Sequence, residues 1–211
     1  APTEIPDAES APKEAVEIRG REAGRGPLAG PVAVGVVLVP QGFNIKKYFP
    51  GVADSKKLSP KKREEIYELL ITLACARNVH TGPSSQIRFC VVFASAKVID
   101  KIGITKAVQQ CVWNGIKKLA PKPEGVKVLL DGLLVAPSEY TQKTIIKGDV
   151  TEPIISLASI AAKVERDRLM CRLAKQFPEY GFEVHKGYGT KKHYEAIERC
   201  GLSELHRRTY V

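Results

Sequence analysis

Residues 22–32 decide the fold and read Glu22-Ala23-Gly24-Arg25-Gly26-Pro27-Leu28-Ala29-Gly30-Pro31-Val32. An acid stands here beside a Gly-Arg-Gly turn, directly before a β-rich run. Glycines adopt positive φ and let a ligand approach the backbone closely, and an arginine between them offers a planar charged fork for a phosphate. An acid at the edge of such a turn suits a metal ion that acts on the phosphate. The stretch therefore predicts a phosphate-handling turn that leads into a strand.

Strand and helix signals mix along the rest of the chain. Residues Val32–Pro40 are nearly continuous β-branched residues, which predicts a buried strand. With no internal repeat, the mixture predicts an α/β fold. The other expected elements are a helix from Ser59-Pro60 to about Ala76, a strand near Phe89–Phe93, a helix over Ala96–Ile102 capped by Ser95, a helix from Thr105 to Leu119, strands Val126–Leu130 and Gln142–Ile146, and helices Pro153–Phe177 and Lys191–Cys200.

The charge balance indicates a polyanionic partner. The 211 residues carry a formal net charge of +10, and fixed positive charge attracts phosphates; ordinary solubilising lysines are the alternative. Residues 1–16 are rich in proline, alanine and acids and predict a disordered tail. Residues 17–211 are expected to form one domain.

The five cysteines suggest a reducing compartment. Their number is odd and no two have metal-ligand spacing, so they are interpreted as free thiols, most of them buried. We see no 18-residue apolar run and no secretory pattern. The expectation is a cytoplasmic protein without a membrane span, and a monomer.

Two further acids stand at positions where catalytic carboxylates occur. Asp131 closes the strand that begins at Val126, and α/β sheets place their chemistry at such strand ends; a plain Asp-Gly turn is the alternative. Asp167 lies on the long helix expected over Pro153–Phe177, where the alternative is a solvated charge paired with Lys163.

Together and in order, these weak signals resemble a known family, ribonuclease HII, the type 2 ribonuclease H family. The resemblance covers residues 22–211. The motifs that carry it are Glu22 to Leu28, Asp54-Ser55-Lys56-Lys57-Leu58, Leu130-Asp131-Gly132, Ser159 to Arg168, His185-Lys186-Gly187-Tyr188-Gly189-Thr190 and His206-Arg207-Arg208.

The resemblance implies a ribonuclease H-like fold, a mixed sheet flanked by helices with a helical C-terminal part. It also implies an endonuclease that cuts the RNA strand of RNA–DNA hybrids, including ribonucleotides embedded in DNA, with Mg²⁺ or Mn²⁺ and a role in DNA replication and repair. Two-metal hydrolysis of a phosphodiester needs carboxylates that hold two ions about 3.5–4 Å apart. By resemblance, Glu22, Asp131 and Asp167 are the catalytic metal ligands.

The resemblance also implies substrate contacts. The backbone of Gly24, Arg25 and Gly26 would recognise the 2′-hydroxyl, the group that distinguishes RNA from DNA. Tyr188 would pack against a sugar, with a core tyrosine as the alternative. Lys56 and Lys57 would hold backbone phosphates, with solvated charge as the alternative.

Arg21 departs from the pattern that the resemblance implies, which has a metal-binding aspartate at this position. The segment Glu17–Arg21 is also poor material for a buried strand, because it contains one apolar residue and two arginines. Three explanations stay open. Arg21 faces away from the site; Glu17 or Asp54 replaces the missing carboxylate; or residues 1–21 are a foreign or altered segment joined to the body.

Two functional hypotheses follow. The first is a nuclease whose activity Arg21 weakens. The second is a catalytically inactive hybrid-binding protein of the same fold, in which Arg21 fills the vacant metal position. A generic basic nucleic-acid-binding protein is a third, and the ordered motifs argue against it.

Overall fold

The computed structural model describes residues 16–52, 58–75, 87–131, 134–145 and 153–211, with the backbone alone at 131, 144 and 145. In chain order, its helices and strands are β1 (Val16–Ala23), β2 (Val32–Pro40), α1 (Ile45–Tyr48), α2 (Pro60–Cys75), β3 (Arg88–Ala94), α3 (Ala96–Ile102), α4 (Ile104–Leu119), β4 (Val126–Asp131), β5 (Thr141–Ile145), α5 (Pro153–Ala174), a 3₁₀ turn (Pro178–Tyr180), α6 (Phe182–His185) and α7 (Lys191–Cys200).

The described strands form one mixed sheet in the order β3-β2-β1-β4-β5. Strand β1 is antiparallel to β2 and parallel to β4, while β2 and β3 are antiparallel and β4 and β5 are parallel. The first strand is therefore central, and its carboxyl end lies at the same edge of the sheet as that of β4.

The expectation that Glu17–Arg21 is poor strand material is wrong. Strand β1 spans this segment because it is hydrogen-bonded on both sides, and Ile18 is fully buried. Arg19 is also buried, at 6% exposure, and forms an ion pair with Glu17 at 3.2 Å. Tertiary pairing here overrides local propensity, as it commonly does in sheets.

Each face of the sheet is covered by helix. On one face, Ile18, Val34 and Leu130 join a core with α4. On the other, Val37 packs in a core with α2 and α5. Gly35 lets α5 approach closely, since a Cβ there would lie 2.1 Å from the carbonyl oxygen of Ala158. This three-layer arrangement, with helices also forming the C-terminal part, confirms the predicted ribonuclease H-like mixed sheet.

Most expected elements occur within a few residues of their predicted bounds. Helix α5 ends at Ala174 rather than at Phe177. The predicted tail lies outside the described residues, apart from Val16, which begins β1. Among the described helices, none is long and apolar enough to cross a membrane.

The cysteines are all free thiols. Cys90 on β3 and Cys111 on α4 are buried in the same core, and burial raises the pKa of each thiol to about 11. The other three are exposed, so the expectation that most are buried is wrong. These three lie on solvent-facing turns of their helices.

Candidate active site

The acids predicted from the sequence lie on three different elements. Glu22 is next to last in β1, Asp131 ends β4, and Asp167 lies in the second half of α5. Because β1 and β4 are parallel, Glu22 and Asp131 are at the same edge of the sheet. The neighbour of Asp167, Arg166, contacts the turn that follows β1. Residues far apart in sequence are thus brought to one end of the sheet.

Two of these carboxylates are paired with basic side chains. The ammonium group of Lys163 lies 2.8 Å from Oδ1 of Asp167, one helical turn away. Nε of Arg25 lies 3.5 Å from Oε1 of Glu22. The helix ion pair that was the alternative interpretation of Asp167 therefore exists. It does not exclude a metal role, since a partly exposed pair of this kind is weak.

Arg21 lies on the face of the sheet that α5 covers. It pairs with Gly35, the residue against which α5 packs. The last residues paired between β1 and β4 are Gly20 and Leu130, which directly precede Arg21 and Asp131 in the chain. Side chains at paired positions share a face. Glu22 pairs with Val34 and therefore lies on the opposite, α4 face. Arg21 and Glu22 thus face opposite sides of the sheet, which is what the explanation in which Arg21 points away from Glu22 requires.

A compensating carboxylate does not come from Glu17. It stands five residues before Glu22 on the same strand, roughly 16 Å away at the usual rise per residue, and it pairs with Arg19. Asp54, the other candidate, lies outside the described residues. The side chain of Asp131 is not among those that the structure describes. Among the described side chains, there is no group of three or more His, Cys, Asp or Glu residues that could hold a metal.

A fully buried arginine donates hydrogen bonds to the carbonyls on the inner side of the Gly24–Gly26 turn. Arg207 donates from Nη2 to the carbonyl of Gly24 at 2.7 Å, from Nη1 to that of Arg25 at 2.8 Å and from Nε to that of Gly30 at 3.0 Å. In a trans peptide the N–H points opposite to the carbonyl. The amides of Arg25 and Gly26 therefore point away from Arg207, and both residues are exposed.

A second buried arginine supports the same loop. Arg166 donates from Nε to the carbonyl of Pro31 at 2.9 Å and from Nη2 to that of Lys186 at 3.0 Å. Burial lowers its pKa to about 10. Gly24 lies directly on this side chain, at φ 89°, where a Cβ would be 2.0 Å from Nε. The first glycine of the turn is thus required by packing.

The second glycine of the turn has no such requirement. A Cβ at Gly26 would meet no protein atom within 4 Å. The missing side chain therefore leaves open space on the outer surface of the turn, beside the outward-pointing amides. Such a surface suits close approach of a ligand to the backbone.

Tyr188 is exposed, at 42%, so it is not a core tyrosine. Its ring lies 6.0 Å from Nζ of Lys163 and 5.8 Å from the guanidinium carbon of Arg166, within cation–π range. Since Lys163 also binds Asp167, Tyr188 lies close to one of the candidate metal ligands. The predicted substrate residues Lys56 and Lys57 lie outside the described residues.

Three buried histidines fix the backbone at Tyr188. His193 and His206 contact each other through their Nε2 atoms at 3.1 Å, and Nδ1 of His193 lies 2.9 Å from the Tyr188 carbonyl oxygen. Nδ1 of His206 accepts the amide of Ser203, so a neutral ring carries its proton on Nε2 and donates to His193. His193 in turn donates from Nδ1 to Tyr188, and His185 stacks on it with ring centroids 4.4 Å apart.

This histidine chain predicts a loss of stability in mild acid. Burial, with His193 close by, lowers the pKa of His206 to about 4, against about 6.5 when unfolded. The unfolded state therefore binds a proton below pH 6.5 that the folded state does not, and stability falls as the pH drops from 6.5 towards 4. The expected loss is about 3 kcal/mol. Urea unfolding across this range measures it. His206→Gln should reduce the slope, with the remainder coming from His193, whose pKa burial also lowers. An unchanged slope would contradict the assignment.

Sequence reasoning did not identify Arg166, Arg207 and the histidines as supports of the site. Arg166, Arg207, His185 and His206 stand inside motifs that carry the family resemblance, but no periodicity marks a charged residue as buried. The one usable signal is proximity to a glycine-rich loop, whose turned-in carbonyls need donors.

Comparisons with known proteins agree with this geometry. The family model for Ribonuclease HII matches residues 21–211. A ribonuclease HII of Coxiella burnetii (strain Dugway 5J108-111) is 43% identical over 189 residues, covering 90% of this chain and 85% of that protein.

The solved structures that share the fold include the following two. One is a complex of PCNA with RNase HII from Archaeoglobus fulgidus (TM-score 0.71, 25% identity, 94% of this chain and 95% of that chain). The other is ribonuclease H2 from Pyrococcus horikoshii OT3 (TM-score 0.69, 28% identity, 92% and 93%). With a family model matched over nearly the whole body, the chain belongs to the ribonuclease HII family.

Proposed function

We propose that this protein is an endonuclease that cleaves the RNA strand of RNA–DNA hybrids, including single ribonucleotides embedded in DNA. The observation that carries the proposal is the Gly24–Gly26 turn, whose two outward amides stand three and four residues after Glu22, at the edge where β4 also ends. Family membership supports the reaction class. A net charge of +10 supports a polyanionic substrate.

Carboxylate oxygens are the ligands that Mg²⁺ and Mn²⁺ prefer, so the acids of the site fit these ions. Glu22, Asp131 and Asp167 would hold them, after Arg25 and Lys163 give up their ion pairs. A pair of bound ions would supply an activated water and stabilise the leaving oxygen. In this proposal the three acids are the catalytic residues.

The amides of Arg25 and Gly26 donate to the ribose 2′-hydroxyl, which deoxyribose lacks. Tyr188 packs against the neighbouring sugar, and Lys163, within reach of both Tyr188 and Asp167, faces the phosphate. Lys56 and Lys57 hold the substrate backbone further along. We place this activity in the cytoplasm, in DNA replication and repair, and carried out by a monomer.

One observation favours a second candidate, a hybrid-binding protein that does not cut. Arg21 and Asp131 directly follow Gly20 and Leu130, the last paired residues of β1 and β4, and a guanidinium group near the acids would oppose the charge of a divalent ion. The same group can bind a phosphate. In this alternative the Gly24–Gly26 turn and Tyr188 bind the ribonucleotide, and no cleavage follows.

Incubation with duplex DNA that carries one ribonucleotide tests the two candidates. With Mg²⁺, and then with Mn²⁺, the nuclease cuts on the 5′ side of the ribonucleotide, and Asp131→Asn and Asp167→Asn abolish the cut. An all-DNA duplex of the same sequence is the control. Tight, salt-sensitive binding without a cut would establish the binding protein instead. Absence of both would overturn the proposal.

A further inference from the structure

The C-terminal segment, residues 203–210, contacts both parts of the structure to which we assign ribonucleotide selection. Arg207 holds the carbonyls of the Gly24–Gly26 turn. Its neighbour His206 reaches the Tyr188 carbonyl through His193. Two consecutive residues thus fix two elements that lie far apart in the chain.

The backbone of the same segment adds further links. The amide of Arg207 donates to the carbonyl of Leu28 at 2.8 Å, and the amide of Gly30 donates to that of Leu205 at 2.8 Å. His206 forms a β-bridge with Ala29. The segment is therefore hydrogen-bonded to the loop after β1 as an added strand-like piece, and not only through one side chain.

The loop that follows the turn also contacts Gly187, the residue before Tyr188. The amides of Leu28 and Ala29 donate to the carbonyl of Gly187 at 2.9 and 3.2 Å. Gly187 has φ 83°, and a Cβ there would be 2.2 Å from the Ala29 carbonyl oxygen. These contacts close a ring that runs from the turn through Gly187 and Tyr188 to the histidines and back through Arg207.

We propose that residues 203–210 are a frame that sets the distance between the Gly24–Gly26 turn and Tyr188, with Arg207 and His206 as positioning residues for ribonucleotide selection. The inference rests on the proposed function. Arg207 contributes by orienting the amides of the turn. It donates hydrogen bonds to three carbonyls, and two of these fix the peptide planes whose N–H groups face the ribose. His206 contributes by holding Tyr188 through a chain of neutral rings, in which each nitrogen has one defined role.

The test is the affinity ratio between a duplex with one ribonucleotide and the same duplex in DNA. It is measured by fluorescence anisotropy with Ca²⁺ as the only divalent cation, so that it does not depend on cleavage. Arg207→Ala should lower the ratio by about tenfold, because the aimed hydrogen bonds are lost while phosphate contacts remain. Affinity for the all-DNA duplex should stay unchanged. Arg208→Ala, an exposed neighbour with the same charge change, is the matched control and should keep the ratio.

Hydrogen exchange separates positioning from unfolding. In Arg207→Ala the hydrogen-bonded amides of Leu28, Ala29 and Gly30 should exchange faster, while those of β2 keep their protection. If Arg207→Ala does not fold, Arg207→Lys, which keeps the charge and reaches fewer carbonyls, should give an intermediate ratio. His206→Leu should lower the ratio with the exchange of the turn unchanged.

A wild-type preference that survives in the Arg207 variants overturns this inference alone. A wild-type protein with no preference for the ribonucleotide overturns the proposed function, and this inference with it.

Discussion

Arg21→Asp is expected to raise the affinity for Mg²⁺ or Mn²⁺ by about a hundredfold or more, and cleavage with it. Position 21 follows Gly20, which pairs with Leu130, and it lies on the face that α5 covers. A unit charge pair 4 Å apart is worth about 4 kcal/mol at an effective dielectric of 20, and a divalent ion doubles this value. The substitution changes +1 to −1, so repulsion becomes attraction. Solvent and side-chain movement reduce the size of the effect but not its sign.

Titration calorimetry with Mn²⁺ measures the affinity, and the duplex with one ribonucleotide measures the activity. Arg21→Ala separates the two contributions, since it removes the positive charge and adds no ligand; it should give part of the gain in affinity. Arg19→Ala, two residues earlier on the same face and paired with Glu17, is the matched control and should leave metal affinity unchanged. No gain in Arg21→Asp would mean that the defect lies in the backbone of β1 and not in the charge.

Much of the fold could be predicted from the sequence because local signals and tertiary structure agree there. The β-branched run after Pro31 forms β2, with eight of its nine residues buried. Ser95 caps α3 as expected, accepting the amide of Val98. Strand β1 could not be predicted, because its stability comes from the ladders on both sides rather than from its own composition.

The candidate site also has parts that the sequence predicts and parts that it does not. The acids and the glycine turn are visible because chemistry restricts their residue types and their places at strand ends. Arg166 and Arg207 are among the largest fully buried side chains of the described chain, yet arginine is rarely buried. Their burial follows from the loop after β1, whose carbonyls turn inward and need donors that no sheet or helix supplies.

Arg166→Met is expected to lower the free energy of unfolding by about 3 kcal/mol. Met keeps most of the apolar stem but carries no donor. The carbonyls of Pro31 and Lys186 then lose partners at 2.9 and 3.0 Å, and that of Ala29 loses a longer one at 3.4 Å. Each buried carbonyl left unpaired costs about 1–3 kcal/mol. Removing a buried guanidinium, whose pKa burial lowers to about 10, offsets part of this loss.

Urea unfolding and the thermal midpoint measure the loss, and a midpoint lower by roughly 6–12 °C is expected for a chain of this size. Arg172→Met, further along α5 and exposed, is the matched control and should change stability by no more than about 0.5 kcal/mol. A loss below about 1 kcal/mol in Arg166→Met would mean that water replaces the guanidinium. The carbonyls of the loop would then not depend on Arg166.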